Sequence, residues 1–155
     1  MNEILQLAHV ARPVVELHQL LGALCQAADS GVVHRRVELQ EVLGLAQEYK
    51  AAVIPYGGGT SVVGHLTPEH GDKPTLTVSL ERMNQLLELN ESDRLATFGA
   101  GIAGPDLEAV LRRHGYVLGH YPQSFEFSTL GGWVVTRSSG QQSLGFGRIE
   151  DLFAG

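Results

Sequence analysis

The apolar residues of the first fifty positions recur at helical spacing. Between residues 3 and 28 they fall every three or four positions, and Pro13 marks a break between two helices or the first turn of the second. Asp29-Ser30-Gly31 ends this pattern, and Val32-Val33 could form a short strand. A further amphipathic helix follows, whose apolar side is made up of Val37, Val42, Leu45, Ala46 and Tyr49.

Short apolar or alternating runs in the middle of the chain predict strands. Ala51-Ala52-Val53-Ile54 indicates a buried strand, and residues 75–80 alternate with a period of two. Residues 86–89 and 94–98 predict two more strands around an Asn90-Glu91-Ser92-Asp93 turn. Helices and strands in this order predict an α+β domain in which helices cover mixed sheets.

A glycine motif precedes the next predicted helix. Residues 99–104 match G-x-G-x-x-G, and Glu126 follows at about the distance of a ribose-binding carboxylate, as in a dinucleotide-binding unit. Pro105 disfavours that interpretation, because a proline in a helix that has already begun costs about 3 kcal/mol or more. We expect a helix that begins at residue 105, with Asp106 and Glu108 complementing its dipole and Gly115 after its end. Residues 116–118 are a further strand candidate.

Composition limits the classes of protein that fit this chain. It has 155 residues, with 11 basic and 17 acidic side chains and no basic run, which argues against nucleic acid as a partner. Cys25 is the single cysteine, which fits a reducing compartment. Residues 1–5 lack a basic region and read as mature sequence, and no apolar run approaches the ~20 residues of a membrane span. We therefore expect a cytoplasmic protein.

The predicted strand at residues 51–54 leads into three consecutive glycines, Gly57-Gly58-Gly59, followed by Thr60 and Ser61. Such a turn presents bare backbone N–H groups that form a concave nest for an anion, and the two hydroxyls add donors beside it. No lysine follows the glycines, so the loop is not a Walker-type phosphate loop. The loop is either a cradle for a pyrophosphate that stays bound or a glycine-rich hairpin without a ligand.

A second stretch rich in glycine, hydroxyl and aromatic residues covers residues 119–140. Near its end, Arg137 is surrounded by hydroxyl residues and glycine. This stretch and the first glycine loop are either two loops that close on one extended ligand or two unrelated turns.

Three motifs carry a resemblance to a known family. Pro55-Tyr56-Gly57-Gly58-Gly59-Thr60-Ser61-Val62-Val63-Gly64 resembles the first pyrophosphate loop of FAD-linked oxidases with a vanillyl-alcohol-oxidase (PCMH-type) FAD domain. Residues 122–140, Pro122-Gln123-Ser124-Phe125-Glu126-Phe127-Ser128 through Gly140, resemble the branch of alkyldihydroxyacetonephosphate synthase and its bacterial relatives, and residues 147–152 continue the pattern. The resemblance covers roughly residues 33–153. Gln123 departs from it, since the branch usually has aspartate there.

The resemblance implies an FAD site built from three segments and names no catalytic or metal-ligating residue. The implied cofactor contacts are Pro55, Tyr56, Gly57, Gly58, Gly59, Thr60, Ser61, Pro122, Gln123, Ser124, Phe125, Glu126, Phe127, Ser128, Val135, Thr136, Arg137 and Ser138. Covalently flavinylated members carry a histidine where this chain has Thr60 or Ser61, so we expect non-covalent FAD. His120 and Arg137 are the side chains that could lie near the flavin ring, and each could equally be structural.

The resemblance also implies a longer enzyme, because the family's later cofactor motif and cap domain are missing from the chain. We expect an N-terminal helical segment at residues 1–32 and a truncated PCMH-type FAD-binding domain at residues 33–155. In the whole enzyme FAD would serve either hydride transfer from a substrate such as a hydroxy acid or acyl-to-alkyl exchange. The alternative is a non-catalytic remnant that folds or binds nucleotide without turnover. A second chain or a second copy could complete the domain.

Overall fold

The chain forms two compact units. The short segment Gly57–Thr60 lies between two stretches of the first unit in sequence, but it belongs to the second unit. The computed structural model describes residues 36–67 and 74–154. Of the described residues, 36–56, 61–67 and 74–82 belong to the first unit, and 57–60 and 83–154 belong to the second. The predicted helices within residues 3–28, the short strand at 32–33 and Cys25 lie outside the described residues.

The described part of the first unit packs one helix on two parallel strands. These elements are α1 (Arg36–Glu48), β1 (Ala52–Tyr56) and β2 (Thr75–Ser79). Val42 and Ala46 on α1 and Leu76 and Val78 on β2 are buried, as their helical and alternating spacings predicted.

The strand β1 is longer than its sequence indicated. Pro55 and Tyr56, which we assigned to the glycine loop, pair with Val78 and Ser79 as the last residues of β1. A proline is tolerated here because β1 has only one strand neighbour among the described residues, so an edge position for the missing N–H is available. The loop therefore begins at Gly57.

The second unit starts with an antiparallel hairpin of β3 (Leu86–Asn90) and β4 (Leu95–Phe98). The predicted turn between them is organised by Asn90. Its Oδ1 accepts hydrogen bonds from Ser92 Oγ (2.7 Å) and from the Asp93 N–H (3.1 Å). Its Nδ2 donates to Asp93 Oδ2 (2.8 Å). The local side-chain bonds explain why this turn was readable from sequence.

Four helices complete the second unit: α2 (Gly104–Arg113), α3 (Leu130–Thr136), α4 (Ser143–Phe146) and α5 (Ile149–Leu152). Their core consists of Ile102, Leu107, Leu111, Trp133 and Ile149. Pro105 lies in the first turn of α2, where its missing N–H breaks no helical bond, and Gly115 follows the helix end with φ +81°. The helix predicted from Pro105 is confirmed, beginning one residue earlier.

Two expectations near α2 are wrong, and one side chain explains both. Glu108 does not sit at the helix start as a surface acid. It is buried in the second turn, and its Oε1 accepts hydrogen bonds from the N–H groups of Leu118 (3.1 Å) and Gly119 (3.0 Å). Residues 116–118 are therefore irregular rather than a strand, because a carboxylate replaces a strand partner for the backbone of Leu118.

The described residues thus form an α+β fold of helices and small sheets. Among the described residues the strands pair as one parallel and one antiparallel two-stranded sheet. In the part of the chain that the structure describes, no helix is long and apolar enough to cross a membrane.

Candidate functional site

The first glycines of the loop lie against the second predicted segment within the second unit. A β-carbon on residue 58 would overlap the carbonyl oxygen of Phe127 and lie 2.6 Å from its carbon. A β-carbon on residue 57 would collide with Thr129 Oγ1. Gly58 is therefore required by the close approach of another backbone segment, and Gly57 by the close approach of the Thr129 side chain. Gly59 is required for a different reason, since its φ of +68° lies in the left-handed region.

The loop also offers hydrogen-bond donors. Gly58 and Thr60 are half-buried and Gly59 is exposed, and none of their N–H groups bonds to the backbone of another described residue. Residues 57–63 contain no lysine or arginine. The arrangement is an uncharged set of amides and hydroxyls, which suits a phosphate group held without a counter-cation.

The G-x-G-x-x-G motif packs against the second predicted segment. Residues 100–104 run alongside residues 128–131 through three backbone hydrogen bonds of 2.8 to 3.2 Å, and Ala103 bridges to Thr129. A β-carbon on residue 104 would lie 2.6 Å from the Phe125 ring. The last glycine of the motif, Gly104, therefore makes room for the Phe125 side chain. The motif also follows an antiparallel hairpin rather than a parallel strand. Both facts disfavour the dinucleotide-binding alternative.

The segment 122–128 is a series of tight turns around a cavity. The N–H groups of Phe127 and Ser128 both donate to the Ser124 carbonyl, at 3.0 and 2.8 Å. The cavity has a volume of about 390 Å³ and is lined by residues 121–127 together with Gln141 and Gln142. Phe127 and Glu126 are exposed beside it. The turns thus present predicted contact residues at an open, partly polar surface.

A larger cavity lies elsewhere in the second unit. Its volume is about 540 Å³, and it lies between β4 and the helices α2 and α5. Its lining is largely apolar, with Leu95, Phe98 and Leu111 among its walls. It gathers no set of polar donors comparable to the loop, so it is not the candidate site.

Trp133 ties the second predicted segment to α3. Its Nε1–H donates to Ser128 Oγ at 2.7 Å, and its ring stacks on Phe125 with centroids 6.2 Å apart. His120 meets the same indole edge to face at 5.0 Å. The buried indole of Trp133 therefore holds side chains on both sides of the turn. Aromatic packing and the hydrogen-bonded indole N–H both favour this arrangement.

His120 reaches the third predicted segment. It is 1% exposed, and its Nε2 lies 2.7 Å from Ser138 Oγ. Burial lowers the pKa of His120 below its ordinary value of 6.5, because desolvation disfavours the charged imidazolium. The imidazole is therefore neutral at pH 7.

The remaining residues of the third segment face outward. Val135 is 78% exposed, and Thr136 Oγ1 donates to the Gly132 carbonyl at 2.7 Å. Arg137 caps α3 in the left-handed conformation (φ 51°, ψ 49°) and pairs with Glu150 at 3.3 Å. The guanidinium thus has a carboxylate partner and a structural role at the helix end.

Most, but not all, of the predicted contact residues belong to one unit. Those at 57–60, 122–128 and 135–138 belong to the second unit, whereas Pro55, Tyr56 and Ser61 belong to the first. In the first unit Ser61 Oγ lies 3.1 Å from His65 Nδ1, and it accepts a bond from the Val63 N–H at 3.4 Å. The assignment of all the residues in these segments to the cofactor stays a prediction.

Two buried residues that organise this site were missed. Glu108 accepts hydrogen bonds from the backbone that leads into His120. Trp133 contacts the side chains of His120, Phe125 and Ser128. A signal existed for Glu108, because it follows the buried Leu107 on the helix face completed by Leu111. For Trp133 the sequence offered only its large apolar area; the bond to Ser128 depends on the turn.

Comparisons with known proteins point in one direction. A family model described as an FAD binding domain matches residues 32–155. Alkyldihydroxyacetonephosphate synthase of Dictyostelium discoideum is 41% identical over 133 residues, which cover 85% of this chain and 22% of that protein. The uncharacterised FAD-linked oxidoreductase YgcU of Escherichia coli strain K12 is 33% identical over 118 residues, covering 76% of this chain and 24% of that protein.

A solved structure of alkyldihydroxyacetonephosphate synthase is similar in both fold and sequence. It superposes with a TM-score of 0.75 at 42% identity, over 77% of this chain and 22% of that one. The chain spans less than a quarter of the length of these relatives.

Proposed function

The chain belongs to the FAD binding domain family, and from that premise we propose that residues 57–60, 122–128 and 135–138 hold FAD non-covalently. Residues 33–155 would be the FAD-binding part of the chain. The family comprises flavin oxidoreductases and alkylglycerone-phosphate synthases, and the relatives cited above come from both groups.

One observation carries the proposal: the glycine loop lies against the turn at 127–129, with Gly58 at the backbone of Phe127 and Gly57 at the side chain of Thr129. Gly57 and Gly58 exclude β-carbons at this contact, so two segments far apart in sequence lie side by side within one unit. This supports the interpretation of two loops on one ligand over that of two unrelated turns. The amides of Gly58, Gly59 and Thr60, which bond to no backbone carbonyl among the described residues, adjoin the contact and would supply donors for a pyrophosphate.

The donor set fits a cofactor that is retained through turnover. It contains no cation that would stabilise charge building up on a departing phosphate, and Arg137 is paired with Glu150. When bound, the flavin ring would supply the redox or carbon-transfer chemistry, and the protein would supply binding and orientation. The chain's own contribution would be to bind the phosphates at the loop, beside a turn that the bond from Trp133 to Ser128 holds in place.

Non-covalent attachment is supported by the residues of the loop. The resemblance places Thr60 or Ser61 at the position where covalently flavinylated members of the family carry histidine, and neither residue can form the histidyl linkage. Acid precipitation tests this directly. We expect the flavin to stay in the supernatant; flavin that pellets with the chain would contradict non-covalent binding.

The activity of the whole enzyme is a further proposal. We infer a flavin-dependent enzyme of the oxidoreductase or alkylglycerone-phosphate synthase type, of which this chain supplies the FAD-binding part. The 41% identity to an alkyldihydroxyacetonephosphate synthase favours the second type. The single cysteine among 155 residues supports a reducing, cytoplasmic location.

A thermal-shift titration tests FAD binding. A site that binds only the folded state stabilises it by about 2.7 kcal/mol at 100 times Kd. For a chain of this length that is a rise in Tm of roughly 5–10 °C. NAD is the control ligand and should give no shift. A shift with NAD and none with FAD would instead support a dinucleotide site at residues 99–104.

A further inference from the structure

His120 is a titratable side chain in the second unit, and among the described residues only one of its ring nitrogens has a hydrogen-bond partner. Its Nε2 lies 2.7 Å from Ser138 Oγ. Its Nδ1 is buried and makes no hydrogen bond within the described part of the chain. The ring's one polar neighbour is thus a hydroxyl in the third segment proposed to contact FAD.

The environment selects one tautomer of the neutral ring. A neutral imidazole carries its proton on Nε2 or on Nδ1. With the proton on Nδ1, a buried N–H has no acceptor, and such orphaned donors are rarer in folded proteins than under-satisfied acceptors. With the proton on Nε2, the N–H donates to Ser138 Oγ and only a lone pair is left unpaired. The Nε2–H form is therefore favoured.

The tautomer determines which way the serine hydroxyl can donate. A hydroxyl has one proton to give and two lone pairs to receive with. We propose that His120 is a positioning residue: its Nε2–H occupies a lone pair of Ser138 Oγ, so the hydroxyl proton is left to donate to an acceptor oxygen of bound FAD. This inference rests on the proposed FAD site and assigns His120 a role within it.

The same pair does not form a nucleophile and its base. A basic His120 would have to accept the Ser138 proton at Nε2, with its Nδ1–H oriented by a third group. No such group faces Nδ1 among the described residues. Orientation of the hydroxyl, rather than its deprotonation, fits the contacts.

Two measurements test the inference. In ¹⁵N-histidine protein, long-range ¹H–¹⁵N correlation spectra report which ring nitrogen is protonated, with or without FAD. We expect Nε2–H for His120 in both states. An Nδ1–H form would overturn the inference and leave FAD binding untouched.

The second measurement is the FAD affinity of matched variants. Loss of one hydrogen bond to a charged group corresponds to roughly a ten- to hundredfold change in Kd, so we expect Ser138→Ala to weaken binding by that factor. His120→Phe keeps a ring but removes the donor and should weaken binding similarly. The double variant should be no weaker than Ser138→Ala alone, because His120 acts on FAD only through the Ser138 hydroxyl. His120→Gln keeps an N–H donor and should stay within about threefold of wild type.

The control is Ser139→Ala, which removes an exposed neighbouring hydroxyl and should bind FAD as wild type does. Circular dichroism checks the fold of each variant; if His120→Phe does not fold, the comparison of Ser138→Ala with His120→Gln decides. Wild-type protein that binds FAD, with Ser138→Ala binding equally well, overturns the inference alone. Wild-type protein that does not bind FAD overturns the proposed function as well.

Discussion

The indole N–H of Trp133 donates to Ser128 Oγ at 2.7 Å, and both side chains are buried. This bond joins the turn proposed to contact FAD to the helix α3. The contacts of the site therefore depend on the same residue that fills the core beside Ile102 and Leu107. Stability and binding should be coupled through it.

Replacing Trp133 with phenylalanine removes this bond and part of a buried ring. The expected loss is about 3 kcal/mol, from the cavity and from the unpaired Ser128 hydroxyl. Urea unfolding followed by circular dichroism measures it. Ser128→Ala is the matched control and should cost about 1 kcal/mol, since it leaves only the indole N–H without a partner. Equal losses for the two variants would contradict this account.

The buried Glu108 carboxylate should be replaceable by an amide but not by a methyl group. Glu108→Ala leaves the N–H groups of Leu118 and Gly119 unpaired and creates a cavity, so we expect a loss of about 3 kcal/mol in unfolding free energy. Glu108→Gln keeps the acceptor oxygen and should lose about 1 kcal/mol or less.

Arg112 provides the control for the charge of Glu108. Its Nε lies 3.9 Å from Glu108 Oε2, beyond hydrogen-bonding distance, and its side chain is 65% exposed. Arg112→Ala should therefore change the unfolding free energy by less than about 0.5 kcal/mol. A loss as large as that of Glu108→Ala would show that the ion pair, not the backbone bonds, matters.

Burial of His120 makes stability depend on pH. In the folded state the pKa of His120 is lowered, whereas in the unfolded chain it titrates near 6.5. Between these two values the unfolded chain binds more protons, so its unfolding free energy rises with pH. The contribution is complete at about pH 7.5, falls as the pH drops below about 6.5, and stops changing below the folded pKa.

The comparison of wild type with His120→Gln isolates this effect from the other six histidines of the chain. Urea unfolding at about pH 7.5, 6.5 and 5.5 should give a shallower pH dependence for the variant. Identical slopes would mean that His120 titrates alike in the folded and unfolded chain.

Adding a methyl group at the loop contact should disrupt the site. Gly58→Ala forces a β-carbon into the Phe127 carbonyl, so the two segments must separate. We expect a loss of at least tenfold in FAD affinity, since a displacement of this kind removes at least one bond to phosphate. Gly44→Ala is the control, because a β-carbon there meets nothing within 4 Å and the residue lies in α1. Titration of flavin fluorescence measures both.

The elements that were readable from sequence depend on local rules. The alternation of residues 75–80 predicted β2, and Pro105 predicted where α2 begins. The polar run Asn90-Glu91-Ser92-Asp93 predicted the hairpin turn, which the side chain of Asn90 stabilises through local hydrogen bonds. In each case the physical cause lies within a few residues of its effect.

The features that were not readable depend on contacts between distant residues. The end of β1 at Tyr56 depends on its pairing with Ser79, and the irregular backbone at Leu118 depends on Glu108. The glycine loop was recognised by its residues, but the contact of Gly58 with Phe127 could not be deduced from either segment alone. Tertiary contacts override local pattern at these positions.

Equilibrium dialysis of the purified chain against FAD, read by the visible absorbance of the flavin, tests the central claim most directly. We expect saturable binding that approaches one FAD per chain, lost in Gly58→Ala and retained in Gly44→Ala. Folded wild-type protein that takes up no more FAD than the surrounding buffer would contradict the claim that these segments form a flavin site.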